Sequence, residues 1–267
     1  MENALIGIPQ DYTPVADGTA VRSIDNLLND YPGLVYRTAN INNGGTKNID
    51  LDVDTGMDPI QAIAILGQPA DYEFNITVES YSSSTARTNG TGGTTHVSGL
   101  SNAHFSSNRS AETAKFFNLF SAPTTNRFFR IKINNLTGSS RYFEAWKIVL
   151  CTVIQPATNI EIGAVITIDD RSERRYTRAG NRVIDPTVIC PAFQGQWPWI
   201  SVSEAHTIRK LMYKKGGTFP CLFVLDPADS DWGEDFVFYG DFEKTLQLDL
   251  DNDDLNLFKF AIVSIAP

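Results

Sequence analysis

Cysteine is scarce in this chain: three residues in 267, Cys151, Cys190 and Cys221, none of them forming a CxxC pair. That excludes a disulfide-stapled scaffold and a thiolate zinc site, and the apolar or β-branched neighbours mark all three as small core residues. An odd number of such thiols fits a reducing environment during folding. Histidine is as rare, and His96, His104 and His206 show no ligand spacing. Basic residues are in deficit, with 22 Lys and Arg against 31 Asp and Glu and a net charge of -9. Binding to nucleic-acid phosphates needs a surplus of positive charge on one face, so the net charge weighs against non-specific nucleic-acid binding and disfavours an anionic membrane surface, and no nucleic-acid or membrane partner is expected. No apolar run approaches the roughly 20 residues of a membrane helix. Met1-Glu2-Asn3 opens no basic-then-apolar leader, so the expectation is a soluble product folded in a cytoplasm. The Asn-x-Ser/Thr triplets at Asn75, Asn89, Asn108 and Asn135 then read as chance in an Asn- and Thr-rich chain.

Reactive constellations are missing too. No phosphate-binding loop, nucleophile elbow or HExxH occurs. The expectation is therefore no enzyme, no cofactor and no metal.

The best-written element is a helix near 202–215. Ser201 and Glu204 form an S-x-x-E capping box, in which each side chain can satisfy a backbone N–H left open at the helix start. Ala205, Ile208, Leu211 and Met212 share one apolar stripe, Lys214 and Lys215 suit the negative end of the dipole, and Gly216-Gly217 ends the helix. Cys221 to Leu225 follows as a buried strand between Pro220 and Asp226-Pro227.

Most of the remainder reads as strands. Val21 to Leu28 allows about two helical turns and Leu34 to Ile41 a strand. Ile49 to Val53 alternates apolar and acidic residues, Ile60 to Leu66 is apolar throughout, and Glu73 to Tyr81 points Phe74, Ile76 and Val78 to one face. Ser80 to Ser110 is rich in Ser, Thr, Asn and Gly and reads as a long loop. Further strands are expected at Phe116–Phe120, Arg127–Ile133, Tyr142–Cys151, Ile160–Ile168, Phe236–Phe242, Thr245–Leu250 and Leu255–Ile265. The last is apolar on both faces, with Phe258, Phe260 and Ile262 opposite Leu257, Ala261, Val263 and Ile265, which predicts a central or partner-covered strand. The fold class is thus mainly β: two antiparallel β-sandwich domains, 1–155 and 156–267, joined at Gln155–Asn159, the second carrying the capped helix.

Two acidic patterns and one basic pattern remain. Asp50-x-Asp52-x-Asp54-x-Gly56 begins like a calcium loop, but the glycine is one place late and Gln61 stands where a bidentate Glu is needed, so an amphipathic strand is the better reading. Asp231, Glu234 and Asp235 around Trp232 suggest a glycosidase pair, although neighbours in one loop rarely reach the required separation. Arg171, Arg174, Arg175, Arg178 and Arg182 crowd into one short span. In an acidic protein such a patch faces either solvent or the acidic surface of a partner. Candidate inter-subunit contacts are therefore Arg171, Arg174, Arg175 and Arg178, with Phe258 and Phe260 from the last strand.

Ile49 to Val53, then Asp58-Pro59-Ile60-Gln61-Ala62-Ile63-Ala64-Ile65-Leu66-Gly67 and Arg127-Phe128-Phe129-Arg130-Ile131, resemble the discoidin or galactose-binding type of jelly-roll domain found in bacteriophage tail proteins. Glu161-Ile162-Gly163, Asp170 to Gly180, the capped helix, Pro220 to Pro227 and Phe238-Tyr239-Gly240 resemble the β-rich second half of those proteins. The resemblance implies a structural component of a tailed phage's tail tip, of the distal tail or baseplate class. It would be made in the host cytoplasm and carried in the virion, assembling as a homo-oligomeric ring with tube, hub and fibre proteins. The alternative it implies is a carbohydrate-binding module for host attachment, with a host-surface glycan as partner. A glycan hydrolase is third.

Overall fold

The computed structural model describes residues 3–16, 19–54, 56, 58–68, 74–101, 114–136, 139–161, 163–170, 172–176, 182–185, 189–215, 219–228, 236–242, 247–249 and 256–265. In chain order its strands are β1 (Leu5–Pro9), β2 (Tyr12–Pro14), β3 (Tyr36–Arg37), β4 (Thr46–Val53), β5 (Ile60–Gln68), β6 (Phe74–Tyr81), β7 (Thr94–Ser101), β8 (Ala114–Thr124), β9 (Phe128–Asn135), β10 (Glu144–Ala145) and β11 (Lys147–Ile154). They continue with β12 (Val165–Asp170), β13 (Glu173–Tyr176), β14 (Arg182–Asp185), β15 (Ile189–Ile200), β16 (Cys221–Val224), β17 (Val237–Phe242), β18 (Gln247–Asp249) and β19 (Asn256–Ser264). The helices are α1 (Ser84–Asn89) and α2 (Val202–Lys215), with one turn of 3-10 helix at Ile24–Leu28. The fold is mainly β and its sheets are antiparallel wherever register is defined.

The chain divides into two compact units, one comprising Gly7–Val153 with Val224–Val237, the other Glu2–Ile6, Ile154–Phe223 and Phe238–Pro267. The first is a β-sandwich. A five-stranded sheet in the order β2-β4-β9-β6-β7 faces the strands β11-β5-β8. Alternation sets the core: Ile49, Leu51 and Val53 of β4, Phe74, Ile76 and Val78 of β6, and Phe129, Ile131 and Ile133 of β9 point inward to meet Ile63, Ile65, Phe116, Ile148 and Leu150. Fully burying each such side chain is worth about 1.5–3 kcal/mol. Ile24 and Leu27 close one margin of this core. The expected strand Leu34 to Ile41 shrinks to Tyr36–Arg37, because this stretch bonds mainly through turns and isolated bridges.

The stretch 80–110 differs from the expected long loop. Ser83 caps α1 through a bond to the N–H of Ala86 at 3.1 Å, Gly90 ends it in the left-handed conformation, and β7 then pairs with β6. Residues 102–113, with His104, lie outside the described residues.

In the second unit the strand order is β12-β15-β19-β17-β16, with β18 on the same edge of β19 as β17. Phe193, Trp197, Phe223, Phe238, Phe258 and Phe260 form an aromatic core, with Trp197 and Phe260 stacked at 4.8 Å. β19 is central, as its two apolar faces required, but the faces are unequal. Phe258, Phe260 and Ile262 are buried, whereas Leu257, Lys259, Ala261 and Val263 are half-buried beside Gln194 and Gln196 of β15. The reciprocal capping box of α2 forms, with Ser201 N–H donating to Glu204 Oε2 at 2.7 Å and Glu204 N–H to Ser201 Oγ at 3.3 Å. Ala205 and Ile208 are buried where α2 meets β19. The side chains of Leu211 and Met212, and the glycine stop, lie outside the described residues.

Gly240 of β17 marks the closest backbone approach: a Cβ there would lie 1.9 Å from the carbonyl oxygen of Val263. Replacing Gly240 by Ala should cost about 1–3 kcal/mol or more through strand displacement, a fall of several degrees in thermal unfolding followed by circular dichroism. Gly92→Ala, where a Cβ meets open space at φ +69°, should cost only the local backbone strain, about 1 kcal/mol. Equal losses for the two variants would contradict this packing.

Candidate functional site

Two polar clusters lie at one end of the first unit's strands, on opposite faces of the five-stranded sheet. On the outer face Asp50 of β4 opposes Arg130 of β9, and Arg130 opposes Glu79 of β6. Arg130 clamps Asp50 with two bonds of 2.8 Å, and Lys132 pairs with Glu79 at 2.6 Å. Arg87 reaches over from α1 to the Leu51 carbonyl at 3.2 Å and to Asp52, with its guanidinium above the Phe128 ring. Burial pushes the Glu79 carboxyl up, but the bonds from Lys132 and Tyr81 outweigh it and hold the group below its ordinary value. Asp50 and Asp52, the carboxylates of the calcium-like pattern, are thus occupied by guanidinium groups. This face is a clamp of paired charges that pins α1 to the sheet, with Arg87 Nε enclosed and without a hydrogen bond.

The inner-face cluster is different. β6 and β7 pair Val78 with Val97 and Glu79 with Thr95, leaving His96 as the extra residue of a β-bulge. Bulges re-aim side chains, and here the imidazole stacks on Phe120 with ring centroids 4.2 Å apart. Its Nε2 lies 2.7 Å from Ser80 Oγ, which is fully buried and also accepts a bond from Asn126 Nδ2 at 2.9 Å. Thr124, the last residue of β8, accepts the Asn126 N–H at 3.2 Å and sits 3.4 Å from Ser80 Oγ. Ser80 is the hub that fixes the histidine and the amide. Among the described residues, neither Nδ1 of His96 nor Oδ1 of Asn126 carries a bond, and both side chains are only half-buried. Burial lowers the histidine's pKa, so the ring is neutral at pH 7.

A serine 2.7 Å from a histidine also suits a nucleophile and its base. Three observations weigh against it: the Ser80 hydroxyl has no exposure, it is already engaged by Asn126, and no carboxylate among the described residues bonds His96. Chemically, the cluster offers a fixed ring nitrogen and a fixed amide oxygen beside an aromatic face.

The residues singled out from the sequence lie elsewhere. Phe258 and Phe260 are 1% and 4% exposed in the second unit's aromatic core, so their rings are spent inside the unit and leave nothing for a neighbour to grip. Arg174 and Arg175 are on β13, paired in register with Ile184 and Val183 of β14, and Arg175 is exposed. Arg171 and Arg178, and the group Asp231, Trp232, Glu234 and Asp235, lie outside the described residues. The cysteines Cys151, Cys190 and Cys221 are buried free thiols, and burial pushes that of Cys151 up to about 12. The sequence did not point to His96, Ser80, Thr124 and Asn126, because only sheet pairing brings them together.

No protein-family model and no curated protein matches this chain. Among solved structures, a pectin-binding carbohydrate-binding module is similar at 13% identity and a TM-score of 0.38, over 55% of this chain and 92% of that one. The CBM32 of AlyQ in complex with 4,5-unsaturated mannuronic acid is similar at 14% identity and 0.36, over 54% and 96%. Truncated AlyQ with CBM32 and alginate lyase domains is similar at 12% and 0.38, over 74% of this chain and 58% of that chain. Likenesses at these scores are too loose to assign a ligand or a site.

The neutral His96 makes stability depend on pH in a defined direction. Between its depressed folded value and the ordinary 6.5, the unfolded chain binds a proton that the folded chain refuses, so stability rises with pH across that window and falls on acidification. Wild type should lose melting temperature from pH 7 to pH 5 more steeply than His96→Gln, so the gap between them narrows. A gap independent of pH would contradict a half-buried neutral imidazole.

Proposed function

We propose that this chain is a non-catalytic structural subunit of a phage tail whose first unit binds a glycan, and whose second unit makes the contacts between copies. The observation that carries the glycan reading is the inner-face cluster: His96 Nδ1 and Asn126 Oδ1, unbonded among the described residues and locked in place through Ser80, next to the Phe120 ring. Recognition of a sugar hydroxyl needs a few directed, neutral polar groups beside an apolar surface, and this cluster offers an amide oxygen that accepts and a ring nitrogen that donates or accepts according to its tautomer. The carboxylates and cations nearby are consumed by one another on the opposite face, so the cluster selects for hydroxyl groups rather than for charge. The tail setting rests on the sequence resemblance, and with it the virion location and the partners in tube, hub and fibres. The enclosed Ser80 hydroxyl argues against that one residue as a nucleophile.

The full chain, passed over immobilised polysaccharides that include pectin and alginate as probes, is expected to be retained by at least one. Asn126→Ala and His96→Ala should each weaken retention by about tenfold, the cost of a bond worth about 1.4 kcal/mol, with thermal unfolding still cooperative. Retention unchanged in both variants would overturn the site. Release of reducing ends that disappears with Ser80→Ala would overturn the non-catalytic reading.

A further inference from the structure

Ser80 is fully buried, so the one proton and two lone pairs of its hydroxyl must all be used inside the inner-face cluster. Three partners surround Ser80 Oγ: His96 Nε2 at 2.7 Å, Asn126 Nδ2 at 2.9 Å and Thr124 Oγ1 at 3.4 Å. Three places for three partners leave few ways to fill them. An amide nitrogen can only donate, so Asn126 Nδ2 takes one lone pair. The Thr124 hydroxyl accepts the Asn126 N–H at 3.2 Å and keeps its own proton, which takes the other lone pair. What is left for His96 Nε2 is the Ser80 proton.

The reverse assignment closes badly. If Nε2 carried a proton and donated it, Ser80 would receive two N–H groups and would have to send its own proton 3.4 Å to Thr124. The Thr124 proton would then have no partner among the described residues. The distances agree with the first assignment. A hydroxyl donor draws in to about 2.7–2.8 Å, whereas an N–H donor stands off at about 2.9–3.0 Å, and the shorter contact is the one to the histidine.

A neutral imidazole that accepts on one nitrogen carries its proton on the other. We propose that Ser80 fixes His96 as the Nδ1–H tautomer, so that the cluster turns one donor, His96 Nδ1–H, and one acceptor, Asn126 Oδ1, to its ligand. Ser80, with Thr124 behind it, is thus a positioning residue that sets the polarity of the site from inside the core. That polarity selects the ligand chemistry. A sugar hydroxyl both accepts and donates, so two hydroxyl groups satisfy both atoms. A carboxylate only accepts and would set oxygen against Asn126 Oδ1, and an ether has no proton to give it. The site is matched to free hydroxyl groups and not to the acid groups of a uronate. This choice of ligand rests on the glycan reading above, whereas the tautomer does not.

Nitrogen NMR of the histidine-labelled full chain at pH 8, without ligand, should show His96 protonated on Nδ1. Asn126→Asp supplies a carboxylate that can only accept, so the Ser80 proton turns to it and the ring proton should move to Nε2. Ser80→Ala removes the donor and should leave a mixture of tautomers. A wild-type ring protonated on Nε2, or a tautomer that is the same in all three proteins, would overturn the proposal. Immobilised pectin and alginate whose carboxyl groups have been reduced to hydroxymethyl should retain the chain at least as well as the parent polymers, and O-methylated polymers about tenfold more weakly. Retention that needs the carboxylates, or that survives methylation, would overturn the hydroxyl selectivity. An Nδ1–H ring with no polymer retained would fell the glycan reading alone, and an Nε2–H ring would fell the proposal even where a polymer is retained.

Discussion

Side chains alternate along a strand, and a polar group buried without a partner costs about 1–3 kcal/mol. Together these constrain every strand of the first unit: a residue turned inward must be apolar or must find a bond. Ser80 is the inward residue at the end of the row Phe74, Ile76, Val78, and it is fully buried. Its hydroxyl therefore has to be satisfied locally, and His96, Asn126 and Thr124 are what satisfy it. The same requirement that stabilises the sandwich margin orients two groups, each leaving one polar atom turned to the surface. The outward row obeys the constraint differently, by pairing Asp50, Arg130, Glu79 and Lys132 across three strands until no charge is left over.

The core strands and the capped helix were legible because their signals are local. Period-two alternation at Ile49 to Val53 and at Phe74 to Val78, and the Ser201–Glu204 box, are written within a few residues. α1 was also written locally, between the capping Ser83 and the terminating Gly90, but its six residues hold almost no apolar stripe and were absorbed into an expected loop. β7 carries Val97 and Leu100 three residues apart, since bulges break its alternation, and a broken period leaves no strand signature. The same bulge creates the site by re-aiming His96. The cluster was therefore illegible for the reason that it is useful: four residues from β6, β7, β8 and a turn meet only through long-range pairing.

The second unit turns the argument around. There the sequence placed the adhesive surface on Phe258 and Phe260, reasoning that a strand apolar on both sides needs cover. Packing assigns those rings to the interior with Trp197, and the half-buried outer face is diluted by Gln194, Gln196 and the Lys259–Asp249 pair. Exposed apolar residues lie instead on β12, which the sequence read as part of an ordinary strand from Ile160, and at Trp199, Val202 and Tyr213. A hydrophobic strand at the centre of a sheet and one at its edge look alike in sequence, since strand order is set by pairing and not by composition.

The central claim is that His96, held by Ser80, presents Nδ1 to a sugar hydroxyl. Histidine-selective nitrogen NMR of the full chain at pH 7 tests it directly, titrated with the oligosaccharide of whichever polysaccharide retains the protein. The account predicts a neutral ring for His96, protonated on a single nitrogen, and a shift at Nδ1 that saturates with ligand while the exposed His206 stays fixed. A charged His96, or a titration that moves His206 and leaves His96 unchanged, would contradict it.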